Sequence, residues 1–262
     1  TPCISSILFF NKWEIFTFAI VIFVPVSIGL GLVYKKVEYW LFFLCIFFTC
    51  KPKANIHFIH NAQYSGTARG LQLTFVDIFI IIILALLLLR SEYRFKINPK
   101  YFLLMILMWL WGLYSAFTLE PENMLYGFFE VWQRFWILLF FLVMSNFINS
   151  EQKLNFCIFG MSIIGVIVGL TSLHERYILN WNICTGGFMH QNSTVMFCHV
   201  YGTLALSQVF NVRKSIINKM FYLINVFLYF AIVILTLSRA GLVAFLGSLS
   251  LFTIGITMLS FS

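Results

Sequence analysis

A short polar segment near the end of the chain contains the residues best suited to bind a charged ligand. The segment Thr236 to Gly241 lies between two long apolar runs. An arginine so close to hydrocarbon costs roughly 2.5–3.5 kcal/mol on insertion scales, so Arg239 predicts a bound anion at a membrane surface. Its planar guanidinium can pair two phosphate oxygens at once. We expect Ser238 to add a hydroxyl and Gly241 to allow close approach of a ligand. The alternative is an arginine that only anchors a helix end.

A second polar group lies in the segment His174 to Asn192 and combines two histidines, a carboxylate, an arginine and a glycine pair. Histidine can transfer a proton near neutral pH, which makes His190 the catalytic candidate. Arg176 is a substrate-binding candidate. Asn192 could cap the next helix or bind a sugar hydroxyl. The alternative is a structural loop at the level of the lipid headgroups.

Arg134 lies inside the fifth apolar run, four residues after Glu130. This spacing puts both side chains on one helical face, where an ion pair can form. Alternatively, Arg134 faces the same polar cavity as Arg239 and also binds substrate. Asp77 opens the third apolar run, where a carboxylate favourably interacts with the helix dipole.

The composition restricts the class of protein. Of the 262 residues, 61% are hydrophobic and only 10% are charged, against about 25% in soluble domains. The chain is therefore predicted to be a polytopic membrane protein. The net charge of +8 does not indicate nucleic acid as a partner, because the basic residues lie in short loops between apolar runs. No metal-ligand spacing, ATPase loop or serine nucleophile motif is present, and no cofactor is expected.

The hydropathy pattern predicts an all-α bundle of about nine spans in a single transmembrane domain, 1–262, and continuous rather than alternating apolar runs exclude spanning strands. The second and third runs are short for a full span. We expect both ends to be cut from a longer protein, because the chain starts at Thr1 and stops just after an apolar run. The nine runs are Ile15–Val33, Val37–Cys50, Phe75–Leu89, Tyr101–Thr118, Gly127–Ile148, Leu154–Leu173, Ser193–Phe210, Met220–Leu235 and Leu242–Leu259.

Orientation follows from the distribution of lysine and arginine, which are enriched in cytoplasmic loops. One set of alternate loops is richer in these residues and is assigned to the cytoplasm. Its basic residues are Lys35, Lys36, Arg90, Arg94, Lys96, Lys100, Lys153, Arg213, Lys214 and Lys219. The predicted outside segments are 51–74, 119–126, 174–192 and 236–241, so the candidate residues of the two polar segments share one side.

The cysteines show no pairing that sequence can define. Cys45, Cys50, Cys157 and Cys198 lie in or beside apolar runs and are predicted to be small core residues. Cys184 is predicted to be the one most exposed to solvent.

Two short motifs resemble those of a known family. The segment Thr236 to Gly241 resembles the Ser-Arg-Gly or Ser-Arg-x-Gly turn of the bacterial O-antigen ligase and O-antigen polymerase family. The stretch Gly187 to Asn192 is similar to that family's Gly-x-Phe-x-x-x-Asn stretch, which also opens a span. Arg69 and the Asp77 that follows resemble a loop entering an early span. Both main motifs lie within 174–262.

The resemblance implies an integral-membrane glycosyltransferase of the bacterial inner membrane, active at its outer face. Its donor would be glycan linked to undecaprenyl diphosphate, and its acceptor the lipid A core or a growing glycan. Arg239 would bind the diphosphate with help from Arg134. In ligases the general base is a histidine in a large loop further downstream. That loop is not in these 262 residues, so the base is expected beyond Ser262, with His190 as a substitute.

Two other classes stay open. A transporter or flippase for a lipid-linked or small anionic substrate predicts internal repeats, broken helices and coupling carboxylates, and the sequence shows no repeat. A non-catalytic membrane scaffold predicts that both arginines can be lost without effect.

Overall fold

The computed structural model describes residues 20–49, 55–60, 70–92, 96–97, 99–188, 190–211 and 213–261. These residues form nine α-helices and one β-hairpin, so the all-α prediction is confirmed. The helices are α1 (Ile20–Val33), α2 (Lys35–Thr49), α3 (Phe75–Leu89), α4 (Pro99–Phe117), α5 (Pro121–Phe147), α6 (Glu151–Tyr177), α7 (Gln191–Val209), α8 (Ile216–Leu235) and α9 (Arg239–Phe261). The strands are β1 (Asn55–His60) and β2 (Gly70–Thr74).

Four of the described helices are long and apolar enough to cross a membrane, which makes this a membrane-embedded protein. They are Pro121–Phe147, Glu151–Tyr177, Ile216–Leu235 and, within α9, Arg239–Ile256. Three further apolar helices are shorter than a typical span: Ile20–Val33, Phe75–Leu89 and Tyr101–Phe117.

Two predicted loop boundaries are wrong. The segment 119–126 was expected to be an outside loop, but α5 already begins at Pro121. Proline is well suited to the first turn of a helix. The carboxylate of Glu122 beside it interacts favourably with the positive end of the helix dipole. At the other boundary α6 continues to Tyr177, so His174 to Arg176 are helical. Hydropathy falls at polar residues even where the helix continues.

The hairpin was not predicted. β1 and β2 pair antiparallel, with Asn55 opposite Thr74. Thr74 also caps α3, because its Oγ1 accepts from the Asp77 N–H at 3.2 Å while Asp77 Oδ2 accepts from the Thr74 N–H at 2.7 Å. This reciprocal capping box confirms the helix-terminal role of Asp77. Trp132 Nε1 of α5 donates to the Gln72 carbonyl at 3.0 Å, which fixes the hairpin to α5.

The chain forms two compact units, one within 1–45 and 54–153 and the other within 46–53 and 154–262. In the first, α5 packs against α3 and α4. In the second, α7, α8 and α9 pack against one another.

Small residues let large ones fill the core of the second unit. Tyr229 of α8 is fully buried, and its hydroxyl donates to the Met161 carbonyl of α6 at 3.1 Å. A Cβ at Gly165 would overlap that hydroxyl. Small residues at helix contacts are typical of membrane proteins.

The predicted burial of three cysteines is confirmed. Cys45, Cys157 and Cys198 are at most 3% exposed. Cys50 lies outside the described residues, as does Arg69.

Candidate functional site

Both motif segments lie at the same end of the second unit. The Cys184 N–H, in the loop after α6, donates to the Leu235 carbonyl at the end of α8 at 3.4 Å. A Cβ added to Gly241 would lie 2.5 Å from Val195 Cγ1, so α7 and α9 touch closely near their beginnings. The ends of α6 and α8 and the beginnings of α7 and α9 therefore lie together at this end of the unit.

The buried carboxylate of Glu175 organises the loop of this site. It accepts from the backbone N–H groups of Thr185, Gly186 and Gly187 at 2.6, 2.9 and 3.1 Å, and from the Thr185 hydroxyl at 3.1 Å. Gly186 and Gly187 have φ angles of 61° and 87°, which glycine adopts without strain. A Cβ at Gly186 would also lie 2.7 Å from Val168 Cγ1. The glycine pair thus forms a turn that wraps around an anionic side chain.

Sequence reasoning noticed this carboxylate but gave it no role. The available signal was an acid followed eleven residues later by a glycine pair, since successive backbone N–H groups in such turns bind anions.

Arg176, beside Glu175 on α6, holds the same loop. Its Nη1 donates to the carbonyls of Trp181 and Asn182 at 3.2 and 3.0 Å. These bonds account for the position of the side chain, and its expected role in substrate binding stays a prediction.

His190 caps α7, and the expectation that Asn192 would do so is wrong. His190 Nδ1 accepts from the Asn192 N–H at 3.1 Å, and Asn192 is the second residue of the helix. A ring nitrogen that accepts a hydrogen bond carries no hydrogen, so the neutral imidazole has its hydrogen on Nε2. His190 therefore presents a donor from Nε2, which suits binding an anionic or hydroxyl oxygen better than removing a proton. The Asn192 side chain is exposed.

The Ser238 to Gly241 segment is a helix start. Ser238 Oγ accepts from the Gly241 N–H at 3.2 Å, the bond expected of an N-terminal cap. Leu237 before it has a φ of 54° and completes a tight turn. Gly241 faces Val195 of α7, so its lack of a side chain serves helix packing instead of the predicted approach of a ligand.

Arg239 is exposed at the first position of α9, and within the described part of the chain its guanidinium makes no hydrogen bond or ion pair. The sequence also lacks a local counter-ion. No acidic residue follows Glu175, and the Glu175 carboxylate is already occupied by its own loop. A negative charge for Arg239 therefore has to come from another part of the chain or from a ligand.

Arg134 belongs to the first unit, in α5. It is exposed, and its Nη1 would lie 2.7 Å from a Cβ added to Gly112 of α4. The ion pairs of the described residues do not include the expected pair with Glu130. Joint action of Arg134 with Arg239 stays a prediction.

The expected solvent exposure of Cys184 is wrong, because its side chain is fully buried. The loop folds back over the helix ends instead of projecting into solvent. Burial, followed by the nearby Glu175 carboxylate, raises the pKa of the Cys184 thiol. Across the described residues no cluster of histidine, cysteine or acidic side chains is arranged to hold a metal ion.

A buried ionic cluster in the first unit was missed entirely. Arg90 Nη1 and Lys153 Nζ lie 2.9 and 3.5 Å from the two carboxylate oxygens of Glu38. Arg90 also donates to the Gly31 carbonyl, and Lys153 Nζ lies 4.3 Å from the centre of the Phe147 ring. All three charged residues are at most 9% exposed. The sequence placed Arg90 and Lys153 only in loops assigned to the cytoplasm.

Comparison with known proteins identifies no relative: no family model, curated protein or solved structure matches the chain. The function is therefore inferred from the residues of the site.

Proposed function

We propose that the chain is a membrane glycosyltransferase that ligates or polymerises glycan carried on undecaprenyl diphosphate. In this proposal about nine helices cross the bacterial inner membrane, and the site around Arg239 faces the outside. The acceptor is the lipid A core or a growing glycan chain.

The observation that carries the proposal is an exposed arginine, without an ion pair among the described residues, at the same end of the second unit as an ordered loop. Arg239 stands at the start of α9, in a segment with no acid to neutralise it. The loop that presents His190 is fixed to the same end of the unit by the hydrogen bonds of Glu175 and Cys184. A cation and a donor N–H at the same end of this unit suit a lipid diphosphate at a membrane surface. The resemblance of both segments to the O-antigen family supports the same ligand.

Each residue then has a defined part in the reaction. The acceptor hydroxyl oxygen forms a bond to the anomeric carbon, and the bond from that carbon to the diphosphate oxygen breaks. The electron pair leaves with the diphosphate, where Arg239 stabilises the developing charge. Ser238 keeps its hydroxyl hydrogen available for a second oxygen, and His190 Nε2 donates to the diphosphate or the sugar. The hydroxyl proton goes to a general base, which in the ligases that the chain resembles is a histidine of a large outside loop.

The direct test is binding of undecaprenyl diphosphate to the full-length protein in detergent, followed by native mass spectrometry. Losing one charge-assisted contact costs about 1.5–3 kcal/mol, so Arg239→Gln should weaken binding by roughly tenfold to a hundredfold. The affinity of Arg239→Lys should lie between those of the wild type and Arg239→Gln, because an ammonium group cannot pair two oxygens as the planar guanidinium does. Lys36→Gln, a change at an exposed cation of the first unit, is the matched control and should bind like the wild type.

Equal binding by the wild type and Arg239→Gln would refute the proposal. A second arm follows glycan transfer in proteoliposomes. Movement of the lipid across the bilayer without any new glycosidic bond would instead support the transporter.

A further inference from the structure

The last third of the chain has a strong charge imbalance at two separate places. After Glu175 the sequence contains five basic residues and no acidic one: Arg176, Arg213, Lys214, Lys219 and Arg239. Arg176 is engaged with loop carbonyls, and Arg239 belongs to the candidate site. The other three cluster around the beginning of α8.

This end of α8 is distant from the Arg239 site. A helix rises about 1.5 Å per residue, so the 20 residues of α8 separate its two ends by about 30 Å. That length equals the hydrocarbon thickness of a typical bilayer. The basic cluster and Arg239 therefore lie at opposite ends of a membrane-length helix.

The same end of α8 exposes large apolar side chains. Ile216 and Ile217, at the first two helical positions, are each 78% exposed. The exposed face continues along the helix through Met220, Ile224 and Phe227. The opposite face is buried against the unit, with Tyr229 among its core residues. α8 thus has one protein-facing side and one continuous apolar side without a protein partner in the described residues.

We infer that the beginning of α8 binds an anionic phospholipid. The acyl chain lies along the exposed face from Ile217 to Phe227, and the headgroup phosphate lies between Lys214 and Lys219. Charge complementarity selects the occupant, since three cations and no acid lie between 209 and 220. The apolar stripe requires a ligand that also has a long hydrocarbon part, which free phosphate lacks.

A second copy of this chain fits less well. If two copies paired these faces in parallel, their basic ends would lie together and repel each other. If they paired antiparallel, the basic residues of each copy would stay without a neutralising charge. Juxtamembrane cations contribute about 1 kcal/mol each to binding of anionic lipid.

The experiment titrates phosphatidylglycerol or phosphatidylcholine into the detergent-purified full-length protein and counts bound lipid by native mass spectrometry. The double variant Lys214→Gln/Lys219→Gln should bind phosphatidylglycerol about 30-fold more weakly, which corresponds to about 2 kcal/mol. Its binding of phosphatidylcholine should hardly change. The matched control Lys36→Gln/Lys96→Gln removes two exposed lysines of the first unit and should bind phosphatidylglycerol like the wild type.

A second variant tests the apolar half of the surface. Ile216→Ser/Ile217→Ser should weaken binding of both lipids, because both use the same acyl contact. Equal affinity of the wild type for the two lipids, or unchanged binding by the lysine variant, would overturn the inference. The inference would also be overturned if the wild type formed a dimer without bound lipid and the variant Ile216→Ser/Ile217→Ser were monomeric. None of these outcomes depends on undecaprenyl diphosphate binding at Arg239.

Discussion

At the scale of single residues, the Glu175 carboxylate accepts from three consecutive backbone N–H groups and a threonine hydroxyl. These bonds give the buried Glu175 carboxylate hydrogen-bond donors for both of its oxygens. The loop that they fix carries His190 at one end and contacts the end of α8 through Cys184. The shape of the candidate site therefore depends on a residue that touches no ligand in the proposed reaction.

Replacing Glu175 with glutamine should loosen this loop. The amide offers one acceptor oxygen and turns N–H donors toward backbone N–H groups, so we expect a loss of about 2–3 kcal/mol in the free energy of unfolding. Thermal unfolding in detergent measures it. Glu122→Gln, an exposed acid in the first turn of α5, is the control and should cost about 0.5 kcal/mol or less.

Alkylation of Cys184 gives an independent test of the same loop. Because burial raises the pKa of this thiol, the folded wild type should react slowly with maleimide at pH 8, and the rate should rise only at more alkaline pH. Glu175→Gln should speed the reaction by exposing the thiol. Peptide-resolved mass spectrometry separates Cys184 from the other cysteines. Rapid labelling of the folded wild type would contradict the burial.

At the scale of elements, the Glu38–Arg90–Lys153 cluster joins the beginning of α2, the end of α3 and the beginning of α6, and Arg90 adds the end of α1 through Gly31. These four helix ends all belong to the side assigned to the cytoplasm from the lysine and arginine bias. The contacts within the cluster show that these four helix ends meet, as the predicted alternation of the spans requires.

Glu38→Gln should be among the most destabilising single changes in the first unit. It leaves Arg90 and Lys153 buried without their carboxylate, and breaking a buried pair in this way costs about 3–5 kcal/mol. Thermal unfolding in detergent is the measurement, and the exposed pair Lys35–Glu92 at 2.7 Å supplies the control. Glu92→Gln should change stability little, because exposed pairs are screened by solvent.

The control pair also has a defined pH dependence. Lys35 lowers the pKa of Glu92, so the small stabilisation from this pair is present at neutral pH and is lost as the pH falls into the acid range. If the stabilisation from the Lys35–Glu92 pair increased as the pH fell, this prediction would be wrong.

At the scale of the whole molecule, the bilayer explains why so many apolar side chains are exposed. Residues on α4 and α8 such as Trp111 and Phe227 are more than 60% exposed. Such surfaces would aggregate in water but match lipid acyl chains. The proposed topology places the two ends of α8 on opposite sides of the membrane, and α8 is long and apolar enough to span it.

Cysteine labelling in whole cells tests this topology. Single-cysteine variants Leu237→Cys and Lys214→Cys, in a background without native cysteines, place a thiol at either end of α8. A membrane-impermeant maleimide should label position 237 in cells whose inner membrane is intact, and position 214 only after that membrane is opened. Labelling of both positions from the same side would show that α8 does not span.

The sequence by itself determined the features that depend on neighbouring residues. Apolar runs of sufficient length located the helices, and the spacing of Thr74 and Asp77 led to a capping box because its partners are three residues apart. Burial of Cys45, Cys157 and Cys198 followed from their place in apolar runs. In each case the physical cause is local hydrogen bonding or the local preference for lipid over water.

Only the tertiary structure decided which distant groups meet. Glu175 accepts hydrogen bonds from donors ten to twelve residues away, and Arg90 binds Glu38, which lies 52 residues away in the sequence. Gly241 contacts Val195, which changed its role from ligand approach to helix packing. Hydropathy records whether a residue prefers lipid or water, but it does not record which helix ends come together. The partners of buried charges and the close contacts of glycines follow from that packing.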